Sequence, residues 1–148
     1  MHINCLDVSI SENDLNSIIQ KKVPPNDKVS HLRVAVETGK IVVSGKFKVL
    51  LPVNFEADFE LSHTDDELVA HLADIRPMSA IADQFKNKIL EKIANAAPFI
   101  SLDKERESIR IPINSVLQNR GVDSNLAIDD LKVEPQQLTL KGLGTVNL

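Results

Sequence analysis

Residues 41–61 read IVVSGKFKVLLPVNFEADFEL, and this stretch decides the fold. Its odd-numbered positions are apolar or glycine throughout, whereas most even-numbered positions are polar. Because successive side chains of a strand point to opposite faces, the alternation predicts one buried face and one wet face. At about 3.3 Å per residue such a run would span roughly 70 Å, too long for one strand of a domain this size. Pro52, which cannot donate a ladder hydrogen bond, marks where the stretch divides into two strands.

Strands predicted on both sides of this stretch extend it into a meander. Residues 29–37 alternate in the same way, and Thr38-Gly39 supplies the residues of a tight hairpin turn. Residues 67–75 form a further predicted strand beyond a short polar turn. The sequence therefore predicts about four antiparallel strands joined by short connections.

Three helices are predicted around the meander. The spacing of Ser11 and Asp14 resembles a capping box and predicts a helix over 12–22. Pro77 opens a long amphipathic helix that runs to about residue 97, with a broad apolar face suited to lying on a sheet. A short third helix is predicted over 114–120.

The C-terminal third repeats the strand pattern on a smaller scale. Residues 109–113 alternate, and two last strands are predicted over 128–134 and 138–148. Gly142 and Gly144 occupy apolar-face positions of the last strand, which indicates a bulge, a bend or a close approach by another group. The predicted fold class is α+β: a curved antiparallel sheet, the meander, wrapped around one long amphipathic helix, with an N-terminal helix and a short third helix.

Composition limits the kind of protein. The 148 residues predict a single domain over 1–148 with its own core. Aromatic residues make up only 3% and the formal net charge is −4, so we expect no nucleic-acid partner. The single cysteine, Cys5, excludes an internal disulfide and a cysteine metal cluster. No apolar run reaches the roughly 20 residues of a membrane span, and the N-terminus lacks the pattern of a secretory leader. The compartment is left open: cytoplasmic as the chain is written, periplasmic if a leader was removed.

The sequence has no motif typical of catalysis. It lacks a phosphate-binding glycine loop, a nucleophile elbow and a His-Glu-x-x-His pattern. The best cluster is His63, Asp65, Asp66, Glu67 and His71, of which three or four would have to converge on a metal. A solvated turn followed by a strand explains the cluster better, and an enzyme built on it ranks third among the hypotheses. We therefore predict no enzyme, no metal site and no cofactor.

Two charged segments have both a functional and a plain interpretation. The carboxylates between Glu56 and Glu67 are oxygen ligands of the kind calcium prefers, but the EF-hand spacing is missing. The basic residues within 86–92 and 104–110 could contact anionic lipid headgroups at the membrane periphery. The plain interpretation, a solvated face in each case, is favoured.

The apolar faces of the sheet and the long helix carry the functional question. They form either a closed core or a slot that holds an acyl chain between them. The side chains that would line the slot share one strand face or recur at helical spacing: Val43, Phe47, Val49, Phe55, Phe59, Met78, Ile81, Phe85, Ile89 and Ile93.

The order of elements resembles the TULIP-like lipid-binding folds, and most of all the bacterial LmeA-like phospholipid-binding family. The resemblance is carried by VAVETGKIVVSGKFKV at 34–49, NKILEKI at 87–93, IRIPINSVL at 109–117 with Gly121, and LTLKGLG at 138–144. It implies a lipid-binding protein and no shared catalytic motif.

Two functions from different classes follow. The first is non-enzymatic binding of a lipid or another long apolar ligand between the curved sheet and the long helix. The alternative is a protein-interaction or self-association module with a closed core, for example a homodimer formed through a strand edge or the N-terminal helix. A continuous dry cavity would favour the first, and a filled core with an apolar surface patch the second.

Overall fold

The computed structural model describes residues 6–22, 29–48, 52–76, 82–95 and 98–147. Within these ranges the chain forms nine strands and three helices. In chain order they are β1 (Leu6–Ser11), α1 (Glu12–Lys22), β2 (Val29–Glu37), β3 (Lys40–Lys48), β4 (Pro52–His63), β5 (Glu67–Arg76), α2 (Ala82–Ala94), β6 (Ser101–Asp103), β7 (Ser108–Pro112), α3 (Ile113–Asn119), β8 (Asp123–Glu134) and β9 (Gln137–Asn147).

The described strands form two antiparallel sheets. One has six strands in the order β2-β3-β4-β5-β7-β6, and the other has three in the order β1-β9-β8. The predicted meander is confirmed as β2 to β5, and the long stretch divides as predicted, because β4 begins at Pro52. Gly45 faces Phe55 across the β3–β4 pair, and Gly39 at φ +75° makes the β2–β3 turn.

The predicted fold class is wrong. The sequence predicts an α+β sheet wrapped around one long helix, whereas the described chain is mainly β and arranged as two sheets. The longest described helix, α2, has 13 residues. The predicted start and end of the long helix fall partly on residues 77–81 and 96–97, which lie outside the described residues. The second sheet is missed because β1 and β9 come from opposite ends of the chain, and no local pattern shows that they pair.

Each sheet has an apolar core on one face. The main core joins the six-stranded sheet to α2, and its buried side chains are Val34, Val36, Val43, Phe47, Phe55, Ala57, Phe59, Leu72, Ile75, Ile89, Leu90 and Ile109. The smaller core of the three-stranded sheet consists of Leu126, Ile128, Leu138, Leu140 and Val146, all buried. Each large aliphatic or aromatic side chain buried in this way contributes about 1.5–3 kcal/mol to folding.

Two asparagines cover the outer edges of β2 and β8. Asn16 on α1 donates from Nδ2 to the Val34 carbonyl oxygen (2.9 Å) and accepts from the Val34 amide (2.7 Å). Asn114 on α3 forms the same pair of hydrogen bonds with Leu126, at 3.0 and 2.9 Å. Each side-chain amide therefore takes the place of a neighbouring strand at one residue, which protects the edge from pairing with another chain.

The hairpin turns tie the two sheets to each other. The Ile128 amide on β8 donates to the carbonyl oxygen of Asp65 in the β4–β5 turn at 2.6 Å. In the β8–β9 turn, the Gln136 amide donates to the Val36 carbonyl oxygen at 2.8 Å, and the Gln136 carbonyl oxygen accepts from the Glu12 amide at 2.9 Å. Because each turn binds elements of the other sheet, these bonds fix how the two sheets pack.

Candidate functional site

Three cavities in the described part of the chain differ in their chemistry. One is an open hollow of about 600 Å³ beside His71, with charged residues 105–107 on its rim. A second open hollow of about 540 Å³ lies between His31 and Arg76. The third, named here the α3 cavity, is the most enclosed of the three and lies between α3 and the three-stranded sheet. Among the described residues, seven aliphatic side chains and one glycine line it: Leu6, Val8, Ile113, Leu117, Leu126, Ile128, Leu140 and Gly142.

The α3 cavity has a buried floor and a half-exposed rim. Leu126, Ile128 and Leu140 are 4%, 5% and 4% exposed, so the β8–β9 hairpin forms a dry floor. The rim comes from Leu6 and Val8 on the edge strand β1, which are half-buried. The cavity is therefore closest to solvent between β1 and α3.

The α3 side of the rim is a short amphipathic helix. Ile113 and Leu117 are four residues apart, so both side chains lie on the helix face turned toward the sheet. Both are half-buried, and none of the side chains of α3 is fully buried. Gly121, at φ +83°, follows the helix, and its amide donates to the carbonyl oxygen of Gln118 at 2.9 Å.

Hydrogen bonds hold α3 at its N-terminal end. Asn114 binds Leu126 at both backbone groups and accepts from the Ser124 hydroxyl at 2.8 Å. The Ile113 amide donates to the Asp66 carbonyl oxygen at 2.9 Å. In the described chain, the hydrogen bonds from α3 to other elements come from these first two residues. The C-terminal half of α3 is held by the half-buried side chains of Val116 and Leu117 and by a hydrogen bond from the Val122 amide to the Leu117 carbonyl oxygen at 2.9 Å.

The hollow beside His71 contains a small hydrogen-bond network. The Ser108 hydroxyl donates to the Arg106 carbonyl oxygen at 3.0 Å, and His71 Nδ1 lies 2.8 Å from the same oxygen. His71 Nδ1 also lies 3.2 Å from Ser108 Oγ, which is the contact that a nucleophilic serine makes with its base. The shared contacts to the Arg106 carbonyl oxygen hold the 104–107 turn, in which Glu107 has a φ of +49°.

The other histidine and carboxylate groups of the predicted cluster are dispersed. His63 Nδ1 lies 3.0 Å from the Thr64 carbonyl oxygen, and Glu67 accepts from Arg110 at 3.3 Å. In the residues that the structure describes, no group of three or more His, Cys, Asp or Glu side chains is placed to hold a metal ion.

Two carboxylates of the acidic stretch, Glu56 and Asp58, are neutralised across strands. Arg76 on β5 donates from two nitrogens to both carboxylate oxygens of Asp58, at 2.9 Å each, and also pairs with Glu56 at 2.9 Å and Asp74 at 3.0 Å. Lys40 approaches Asp58 at 3.2 Å. The Arg76 hydrogen bonds lower the pKa of Asp58, and the same bonds raise the pKa of the Arg76 guanidinium. Sequence reasoning missed this network because Glu56 and Arg76 meet only through strand register.

The predicted basic surface is likewise paired with carboxylates, and this favours the plain interpretation. The pairs are Lys86–Glu107 at 3.8 Å, Lys104–Glu91 at 3.1 Å, Arg106–Asp103 at 4.0 Å and Arg110–Glu67 at 3.3 Å. Burial lowers the pKa of Lys92, whose charged form is disfavoured away from water.

The residues predicted to line a slot lie largely in the main core. Val43, Phe47, Phe55, Phe59 and Ile89 are buried there, and Ile93 is half-buried against it. None of these six lines the α3 cavity. Three predicted residues fall outside the described residues, as does the side chain of a fourth on α2: Val49, Met78, Ile81 and Phe85.

Sequence reasoning missed the α3 cavity because its lining comes from four elements spread over the whole chain. Periodicity showed which face of each element is apolar, but not that β1, α3, β8 and β9 meet. The one local signal is Gly142, one of two glycines at apolar-face positions of the last strand.

Comparison with protein-family models, with curated proteins and with solved structures finds no match to this chain. The resemblance to TULIP-like folds therefore stays a prediction. Among the described helices, none is long and apolar enough to cross a membrane.

Proposed function

We propose that this protein is a non-enzymatic binder of a lipid or another long apolar ligand, and that the hydrocarbon chain of the ligand binds at the α3 cavity. The observation that carries the proposal is the aliphatic lining that the described residues form beneath α3, with its half-exposed rim at β1. Ligand sites of this kind are concave and mostly apolar, with few polar groups. The described side chains of the lining offer an apolar chain a dry surface and offer a polar substrate no hydrogen bond.

Binding requires α3 to move outward. The cavity volume is about 10 Å³, which is room for about one water-sized group. Moving the C-terminal half of α3 exposes the half-buried side chains of Val116 and Leu117, whereas the hydrogen bonds of α3 to other elements, which come from Ile113 and Asn114, are kept. Each methylene that a ligand buries contributes about 0.8 kcal/mol, so about eight of them supply roughly 6 kcal/mol. That gain exceeds the cost of exposing Val116 and Leu117, because each is only half-buried and a fully buried side chain contributes about 1.5–3 kcal/mol.

The test is titration with cis-parinaric acid, an unbranched polyene fatty acid whose fluorescence rises when its chain leaves water. Wild-type protein is expected to give a saturable signal that saturated fatty acids compete away. Leu117→Asp, which places a carboxylate at the rim, should weaken binding at least about tenfold, because the ligand would bury an unpaired charge.

Leu143→Asp is the matched control. Leu143 is a leucine of β9 that is 40% exposed and belongs to the alternate set of β9 side chains, so its replacement adds the same charge away from the cavity. Binding should be unchanged. A wild-type protein that takes up no parinaric acid, or equal affinities for both variants, would contradict the proposal.

The alternative function, a protein-interaction module, has a narrower structural basis. Asn16 and Asn114 occupy the edges of β2 and β8, so strand addition is directed to the other outer strands. These are the six-residue β1 and the three-residue β6. A concentration-dependent dimer in sedimentation velocity, together with no fatty-acid uptake, would favour self-association through β1.

A further inference from the structure

Four of the five glycines have a structural reason to be glycine. Gly39 and Gly121 adopt φ +75° and +83° in turns, a conformation that L side chains rarely adopt. Gly144 has φ +144°, and a Cβ there would clash with the Asn125 carbonyl oxygen. A Cβ on Gly45 would lie 3.0 Å from three atoms, one of them a backbone oxygen. Turn geometry or close backbone approach accounts for all four.

Gly142 has neither reason. Its φ is not positive, and a Cβ there would meet its nearest atoms, on Leu126 and Ala127, at 3.6–3.7 Å, which is ordinary van der Waals contact. The neighbouring irregularity of the β8–β9 pair lies between Ile128 and Asp130, so the extra residue belongs to β8 and not to the strand of Gly142. An alanine would fit this position without strain.

Glycine in the interior of a strand weakens it, because the unfolded chain is freer and no side chain packs. Gly142 stands in the middle strand of its sheet, with Leu6 on one side and Ile128 on the other. What its missing side chain provides is space in the α3 cavity, which it lines. A residue that is unfavourable for its own secondary structure, and that has no structural reason to be there, is typical of a functional position.

We propose that Gly142 is the specificity-determining residue of the α3 cavity: its missing side chain makes room on the floor for the methyl end of an unbranched hydrocarbon chain. This inference rests on the proposed function. The described residues of the floor carry no polar side chain, so the hydrocarbon chain enters methyl end first and its polar head stays at the rim between β1 and α3. A larger side chain at position 142 limits the α3 cavity to shorter hydrocarbon chains.

The experiment is a series, Gly142→Ala, Gly142→Val and Gly142→Leu, titrated with parinaric acid in competition with saturated fatty acids of ten to sixteen carbons. Gly142→Ala is expected to fold with a melting temperature at or above that of wild type. As the side chain at position 142 becomes larger, the saturated fatty acid that competes best should have fewer carbons. In Gly142→Val, the affinity for the longest fatty acid should fall at least tenfold. Leu143→Ala, at an exposed position of the same strand, is the control and should keep the wild-type chain-length preference.

The outcomes separate this inference from the proposed function. If wild type binds no chain, the proposed function fails and the inference fails with it. If wild type binds but Gly142→Ala and Gly142→Val keep the wild-type chain-length preference while folded, the inference alone is wrong. A Gly142→Ala protein that does not fold would also overturn it, because the fit of a Cβ is its premise.

Discussion

Asn114 makes the most direct test of how the site is held together. Replacing it by alanine removes three hydrogen bonds: one to the Leu126 carbonyl oxygen (3.0 Å), one from the Leu126 amide (2.9 Å) and one from the Ser124 hydroxyl (2.8 Å). Leu126 is only 4% exposed, so water replaces these partners poorly. An unsatisfied buried polar group costs about 1–3 kcal/mol. For two backbone groups we expect Asn114→Ala to lower the free energy of unfolding by about 2–6 kcal/mol.

The measurement is urea unfolding followed by far-ultraviolet circular dichroism, because the chain has no tryptophan or tyrosine for a fluorescence signal. Asn119→Ala, at the exposed last residue of α3, is the control and should change stability by less than about 0.5 kcal/mol. Equal effects of the two alanine variants would refute the idea that Asn114 replaces a strand at the β8 edge.

Asn114→Asp sharpens the test. The carboxylate can still accept from the Leu126 amide. Its second oxygen, however, replaces the Nδ2 donor and faces the Leu126 carbonyl oxygen, which is also an acceptor. Ionisation is therefore disfavoured in the folded state, and the pKa of the new carboxyl rises above its unfolded value of about 3.9. The ionised variant should be destabilised at neutral pH and should recover part of the loss as the pH falls and the carboxyl becomes protonated.

Two further predictions concern residues outside α3. Gly144→Ala should lower the free energy of unfolding by more than about 2 kcal/mol, since its Cβ would clash with the Asn125 carbonyl oxygen and its φ of +144° is strained for alanine; a loss no larger than that of Gly142→Ala in the same urea titration would contradict this. Asp58 has a lowered pKa in the folded state, so its ionised form stabilises the protein above its unfolded pKa, near 3.8, and that contribution is lost as the pH falls through the folded value. Asp58→Asn should therefore flatten the dependence of the melting temperature on pH below about 4. A melting temperature that falls with pH as steeply as in wild type would argue against the Arg76 pairing.

Sequence reasoning was most successful where one short segment determines the structure. The capping-box spacing is confirmed, because the Asp14 amide donates to Ser11 Oγ at 3.1 Å and the Ser11 amide to Asp14 Oδ2 at 3.2 Å. The helix over 12–22 has the predicted bounds. The strand register was also predicted: Val43, Phe47 and Phe55 are buried on one face. In each case the determining contacts lie within a few residues or follow from period-two alternation.

The candidate site could not be predicted in the same way. Periodicity identified apolar faces, and it assigned the largest of them to a slot whose described residues pack in the main core. The α3 cavity instead depends on the pairing of β1 with β9 and on the docking of α3 through Asn114. A hydrophobic pattern is the same whether its partner is another part of the chain or a ligand, so the pattern by itself does not show what covers it.

The sequence by itself determined most of the buried face of β3 and β4, where hairpins turn and where α1 begins, because these depend on side-chain alternation, glycine torsions and local caps. Val53, which is 41% exposed, and Asp58, which is buried, depart from the predicted alternation. Only the tertiary structure decided that the strands form two sheets, that Arg76 neutralises Asp58, and that Gly142 lines a cavity under α3. The physical reason is that pairing between strands and docking of helices are contacts between residues distant in sequence. Their energies depend on how two surfaces fit, and no single segment carries that information.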